Sequence, residues 1–343
     1  MKNKITCLLA GAALFGATAN AEIVLTDSLS AYGYVDMALT DGEGTGNTET
    51  GVAEFELGLS FAPAESKWSA VVELSYDNDS TSTSTTTNSI DADAVVAAAA
   101  EPDPADALAG INAAVSSSTT TTTNNSAEFE TVTISYQYSD SLSFTFGNIL
   151  SYQGFETYDA TGLYQYSYAG DTSNGRNGVL YSAGYAVGAS ADYTTGDFDF
   201  GVWVGEGEGA DESFEYLVAY NGIENLTVKA IYADDPTYET VNVWAAYDYG
   251  DFTFAVETVE TDNAAGVSTT DIQTALVYYA MGKAGITVRF TDGDYGAQSF
   301  EKFTISPSYA FSDNVFGLIE FSQEDLGTAE TFDSAAVELI YSF

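Results

Sequence analysis

Histidine is missing from all 343 residues, cysteine occurs once, as Cys7, and lysine and arginine together number only eight against 51 acidic residues. Each shortage excludes a class of function. Without histidine there is no Ser-His-Asp hydrolase, and the commonest general base and metal ligand are gone. With so few basic residues the chain cannot neutralise phosphates, so nucleic acid is excluded as a partner. Beyond residue 21 no run of 18 apolar residues occurs, so no transmembrane helix is expected.

What is present points to export. The stretch MKNKITCLLAGAALFGATANA has Lys2 and Lys4, an eleven-residue apolar run from Ile5 to Phe15, and Ala19-Asn20-Ala21 as an A-x-A cleavage site. That is a secretory signal, 1–21, and its apolar run is too short to span a bilayer. Its removal would leave 22–343 with no cysteine, hence no disulfide, thiolate nucleophile or thiolate metal site. The 24 tyrosines and 20 phenylalanines are too many for a solvated acidic coil. An exported barrel or a secreted β-protein remains.

Periodicity separates the two. Sixteen segments alternate apolar and polar residues with period two: 29–40, 52–62, 68–77, 127–138, 142–149, 177–194, 197–206, 212–221, 225–234, 238–248, 251–260, 270–281, 284–291, 299–310, 314–323 and 333–343. One oily face repeats, as in Phe198, Phe200, Val202 and Val204, or Phe303, Ile305, Pro307 and Tyr309. Alternate connections are short (62–67, 139–141, 195–196, 222–224, 249–250, 282–283, 311–313), and the others are expected to be long and acidic. This predicts an all-β fold, a 16-stranded antiparallel transmembrane β-barrel with short periplasmic turns and long extracellular loops. The chain ends VELIYSF, where Val337, Leu339, Tyr341 and Phe343 share one strand face.

On these features the chain resembles the Gram-negative outer-membrane porins over its whole exported length. Gly154-Phe155-Glu156, Tyr166-Ser167-Tyr168 and Gly178-Val179 are similar to the corresponding region of the β-barrel porin families. The resemblance implies an outer-membrane location in contact with lipid and lipopolysaccharide, and passage of small hydrophilic solutes. It also implies a homotrimer, a terminal strand read by the barrel-assembly machinery, and a constriction loop after the fifth strand, here 151–176. The arginine cluster that faces this loop in general porins is not evident.

Strand parity turns Asp36, Glu54, Glu56, Glu73, Asp199, Glu215, Glu257, Glu320 and Glu338 inward, against Lys229, Arg289 and Lys302. Such carboxylates favour cations, so the expected pore is cation-preferring; the competing reading is an acidic surface that only keeps the protein hydrated. In the loop, Glu156, Asp159, Asp171 and Arg176 are the eyelet candidates. Tyr152, Tyr158, Tyr164, Tyr166 and Tyr168 either form a stacking slide for sugars or pack the loop against the wall.

Three segments invite other readings. The connection 78–126 flanks an alanine-rich stretch with Ser/Thr runs; it reads as a helical hairpin on polar stalks or as a disordered external insertion. As the functional part of a non-conducting adhesin or structural barrel, it is the alternative to a porin. GEGEG at 205–209 lacks a following helix and reads as an external hairpin, not a nucleotide loop. Asp292-Gly293-Asp294 reads as a turn able to hold Ca²⁺ or Mg²⁺ weakly, without a complete calcium loop; no other cofactor is expected.

Overall fold

A computed structural model of the chain describes residues 22–42, 48–77, 81–90, 115–124, 127–156, 161, 164–170, 178–181, 184–207, 211–327 and 331–343. The expected signal, 1–21, lies outside them. A short strand, β1 (Ile23–Thr26), is followed by β2 (Leu29–Gly42), β3 (Thr48–Phe61) and β4 (Trp68–Asp77). Next come β5 (Thr81–Ile90) and β6 (Val115–Asn124), then β7 (Ala127–Ser139), β8 (Leu142–Leu150) and β9 (Tyr185–Thr195). The rest are β10 (Phe198–Glu206), β11 (Glu212–Ile223), β12 (Leu226–Asp234), β13 (Tyr238–Tyr249) and β14 (Phe252–Asn263), then β15 (Ser268–Met281), β16 (Ala284–Tyr295), β17 (Gln298–Ser312), β18 (Val315–Asp325) and β19 (Thr331–Ser342).

Sixteen of these, β2 to β4 and β7 to β19, pair with their neighbours in one closed antiparallel sheet. Closure falls between β19 and β2, where Ile340 faces Asp36 and Glu338 faces Ala38. Phe343 and Gly33 exchange two backbone hydrogen bonds of 2.9 Å at this seam. The short β1 pairs with the start of β2, Ile23 opposite Ala31.

Period-two alternation decides which way each side chain points. On β10, Phe198, Phe200, Val202 and Val204 are 38–45% exposed while Trp203 is buried. The same outward stripe continues through Val218, Tyr232, Val256, Phe290, Phe303, Phe321, Val337, Leu339 and Tyr341. Buried on the other face are Glu215, Lys229, Asn242, Thr287, Arg289, Thr304 and Glu338. A barrel that is oily outside and polar inside is a multi-pass membrane structure. At Ala53 one extra residue opposes the Asp36–Met37 step, so Val52 and Glu54 face opposite sides although they are two apart.

The structure corrects four expectations. The sixth strand begins at Tyr185, not at 177: Gly178 has φ 83°, and Val179, Leu180 and Tyr181 are buried in a cluster with Val259, Ile272, Phe300 and Leu326. The connection between β8 and β9 therefore spans 151–184, and its described residues 178–181 pack inward with the rest of its described part. The external connections after β10, β12, β14 and β16 are short, because the acidic residues there continue the strands. Asp292 and Asp294 accordingly lie in β16, opposite Gln273 and Asp271, and not in a turn. The Ser/Thr runs of 78–126 pair as β5 and β6, Thr81 with Asn124 through Ile90 with Val115, where flexible stalks were expected. Residues 77–126 form a compact unit of their own, and the alanine-rich stretch lies outside the described residues.

Candidate functional site: the inner wall and its loop

The segment after β8 turns into the barrel because successive wall residues accept or supply its backbone hydrogen bonds. On β11, Glu215 receives Ser151 Oγ at 2.6 Å and Tyr152 N at 2.8 Å. Asn242 on β13 accepts Gly154 N at 2.9 Å, and Glu257 on β14 accepts Phe155 N at 3.1 Å. Gly154 has φ 92°, and a Cβ there would lie 2.1 Å from the Tyr181 ring. The bend therefore requires glycine. Thr287 Oγ1 donates to Tyr164 O at 2.8 Å, and Lys302 Nζ to Gly170 O at 3.2 Å.

The tightest fastening is Arg289 on β16. Its Nη1 donates to Glu156 Oε1 and to Ser167 O, both at 2.7 Å. Its Nη2 donates to Tyr168 O at 2.7 Å and to Ser167 Oγ and Thr304 Oγ1 at 3.1 Å. Glu156 is filled in turn by Gln165 Nε2 at 2.5 Å and Ala169 N at 2.7 Å. A guanidinium fork suits this task because its donors are planar and fixed in direction.

The sequence-derived site residues are thereby redistributed. Glu156 and Arg289, expected at an eyelet, are a buried ion pair that joins the loop to β16. Lys302 pairs with Glu324 at 2.7 Å, both buried. Lys229 sits 5.0 Å from the Trp244 ring centre, a cation-π contact. Glu54, Glu56 and Glu73 do turn toward the inner face, where Tyr34 OH bonds Glu54 and Tyr32 OH bonds Glu73 at 2.5 Å. Asp159, Asp171 and Arg176 lie outside the described residues, as does Tyr158. Tyr164 packs among Phe155, Ala246, Ala255 and Leu276, and Tyr168 against the cluster around Phe300. These tyrosines therefore fasten the loop; burial pushes the Tyr164 phenol up, so it stays protonated.

Sequence reasoning missed Gln153, Gln165, Asn242 and Thr287 as fasteners. Inward parity could have marked Asn242 on β13 and Thr287 on β16, but nothing in the spacing says that a loop lies above them, and Gln153 and Gln165, within the loop, have no strand parity to read. Glu320 was read as inward, and its Oε2 accepts Ser167 N at 2.9 Å. It thus marks where the loop meets β18. Beyond that contact the wall of β19, β2, β3 and β4 carries Glu338, Asp36, Glu54, Glu56 and Glu73.

No protein-family model and no curated protein matches the sequence. Solved structures do match. An anion-selective porin from Comamonas acidovorans superposes with a TM-score of 0.61 at 14% identity, covering 92% of this chain and 99% of that one. OmpT of Vibrio cholerae gives 0.58 at 14%, covering 94% and 100%, and a mutant of the Rh. blastica porin gives 0.57 at 14%, covering 92% and 100%. At this identity the likeness concerns the fold, and the fold is that of the Gram-negative outer-membrane porins.

Proposed function

We propose that the chain is an outer-membrane porin, a water-filled channel through which small hydrophilic solutes diffuse passively with a preference for cations. One observation carries the sign of that preference. The inward cations Lys229, Arg289 and Lys302 are engaged by an indole ring, the loop and Glu324, while Asp36, Glu54, Glu56, Glu73 and Glu338 occupy the wall beyond the loop. The Comamonas porin is described as anion-selective, so the fold alone does not set the sign. Carboxylates at a constriction attract cations and repel anions. The same proposal includes export through 1–21, assembly guided by Val337, Leu339, Tyr341 and Phe343, and a trimer in contact with lipid and lipopolysaccharide. Asp292 and Asp294 on the outward face of β16 are its weak Ca²⁺ or Mg²⁺ ligands.

The test is the reversal potential of the purified protein in a planar bilayer across a KCl gradient. A stable current with cation preference supports the reading; a folded barrel that passes no current defeats it. A second reading, a surface-acting barrel that works through 78–126, is favoured by the compactness of 77–126 as a separate unit. Deleting 78–126 leaves conductance intact on the first reading and abolishes the only activity on the second.

A further inference from the structure

The seam where the barrel closes contains an arrangement that charge preference by itself does not require. Asp36 on β2 and Glu338 on β19 lie in side-chain hydrogen-bonding contact, yet both are acceptors when ionised. Asp36 Oδ1 is buried, the residue being 3% exposed, and no donor reaches it. Glu320 and Glu54 are close enough to add their repulsion to Glu338. The four residues stand on successive strands, β18, β19, β2 and β3, so they form a diagonal band along the wall. That band starts at the loop, because Glu320 also accepts Ser167 N. A buried carboxylate pair is costly unless a proton is held between the two groups or positive charge comes from elsewhere. Lys302, on the strand next to β18, is held by Glu324 and Gly170.

We propose that Glu320, Glu338, Asp36 and Glu54 form a binding subsite for solutes that carry an ammonium or guanidinium group. The N–H donors of the solute bridge Asp36 and Glu338 as it passes the edge of the loop. A metal ion fits less well: among the described residues no group of three or more acidic side chains is arranged to hold one. Directional N–H donors, in contrast, match carboxylate oxygens in hydrogen-bonding contact. This inference rests on the channel reading for its transport meaning but not for its binding chemistry.

The experiment uses the full-length barrel in detergent, with putrescine and free arginine as probes. Titration calorimetry is expected to show saturable binding that weakens roughly ten- to hundredfold in Asp36→Asn and Glu338→Gln, the scale of one lost charge-assisted hydrogen bond. Asp36→Glu retains binding, as does Glu301→Gln, which removes an outward-facing acid. Heat-modifiable migration on gels verifies that each variant is folded. In a bilayer, the probes produce brief interruptions of the KCl current that disappear in the same two variants. A cation-preferring current without saturable binding overturns the subsite and leaves the channel; a proton shared by the two carboxyls is then the explanation of their contact. Binding that persists in Asp36→Asn and Glu338→Gln also overturns it. Binding lost in those variants, in a barrel that passes no current, upholds the subsite and removes the channel.

Discussion

The wall beneath the loop and the wall beyond it are built from the same kind of strand, with the same inward parity, and use charge in opposite ways. From β11 to β18, the charged residues that touch the loop serve as fasteners: Glu215 and Glu257 accept loop amides, and Arg289 distributes its donors over Glu156, Ser167, Tyr168 and Thr304. From β19 to β4, carboxylates approach one another, and tyrosine hydroxyls from β2 bond two of them. An inward charge therefore carries no fixed meaning in this barrel. What lies above it decides whether it clamps the loop or faces the lumen. A buried ion pair gains little net stability, since desolvating two ions offsets most of their attraction. The clamp's contribution is position: it fixes where the loop lies in the lumen, and so which wall is left uncovered by it.

The largest effect should come from breaking the clamp. Arg289→Met leaves Glu156 buried without its partner, at a cost of about 3–5 kcal/mol. The loop then detaches, single-channel conductance rises, and the temperature at which the barrel changes gel mobility falls. Glu156→Gln alone should be milder, and adding it to Arg289→Met should restore part of the loss, because the stranded charge is gone. Bilayer conductance and a double-mutant cycle of melting temperatures check this. Unchanged conductance in Arg289→Met would mean that the loop is held by its backbone contacts and not by this residue.

An intermediate effect belongs to the far wall. Glu73→Gln and Glu56→Gln should each move the reversal potential toward zero at 0.1 M KCl while leaving the melting temperature nearly in place. At 1 M the shift should largely vanish, since the Debye length falls from about 10 Å to about 3 Å. If either substitution instead lowers stability as much as Arg289→Met, the two walls are not different in kind.

The contrast also marks what could be read in advance. Strand number, pairing order and the oily outer face were legible because period-two alternation is imposed by lipid on one side and polar groups on the other, as along Phe198–Val204 and Phe303–Tyr309. The same rule placed Arg289 and Glu338 on the inner face. It could not say that Arg289 would meet Glu156, 133 residues away in the chain, because a long-range contact leaves no local period. Val179, Leu180 and Tyr181 were misread as strand for a related reason: an apolar run looks alike whether it faces lipid or packs on Phe300 inside the barrel. The extra residue at Ala53 was equally invisible, since a bulge reverses parity without a distinctive composition.

The smallest effect should come from a region that takes neither role. In the turn between β11 and β12, Asn225 has φ 62°, the one described non-glycine residue in that conformation. Asparagine tolerates it better than alanine does, because its short polar side chain can bond locally. Asn225→Ala should therefore cost about 1 kcal/mol, and Asn225→Gly should be neutral or slightly stabilising. Because the turn touches neither the clamp nor the acidic wall, both variants should keep the wild-type conductance and reversal potential while their melting temperatures separate. A changed reversal potential in Asn225→Ala would show that strain at a strand end reaches the lumen. In that case the loss in Arg289→Met could not be assigned to the loop alone, and the division of the wall into a clamping half and a conducting half would have to be redrawn.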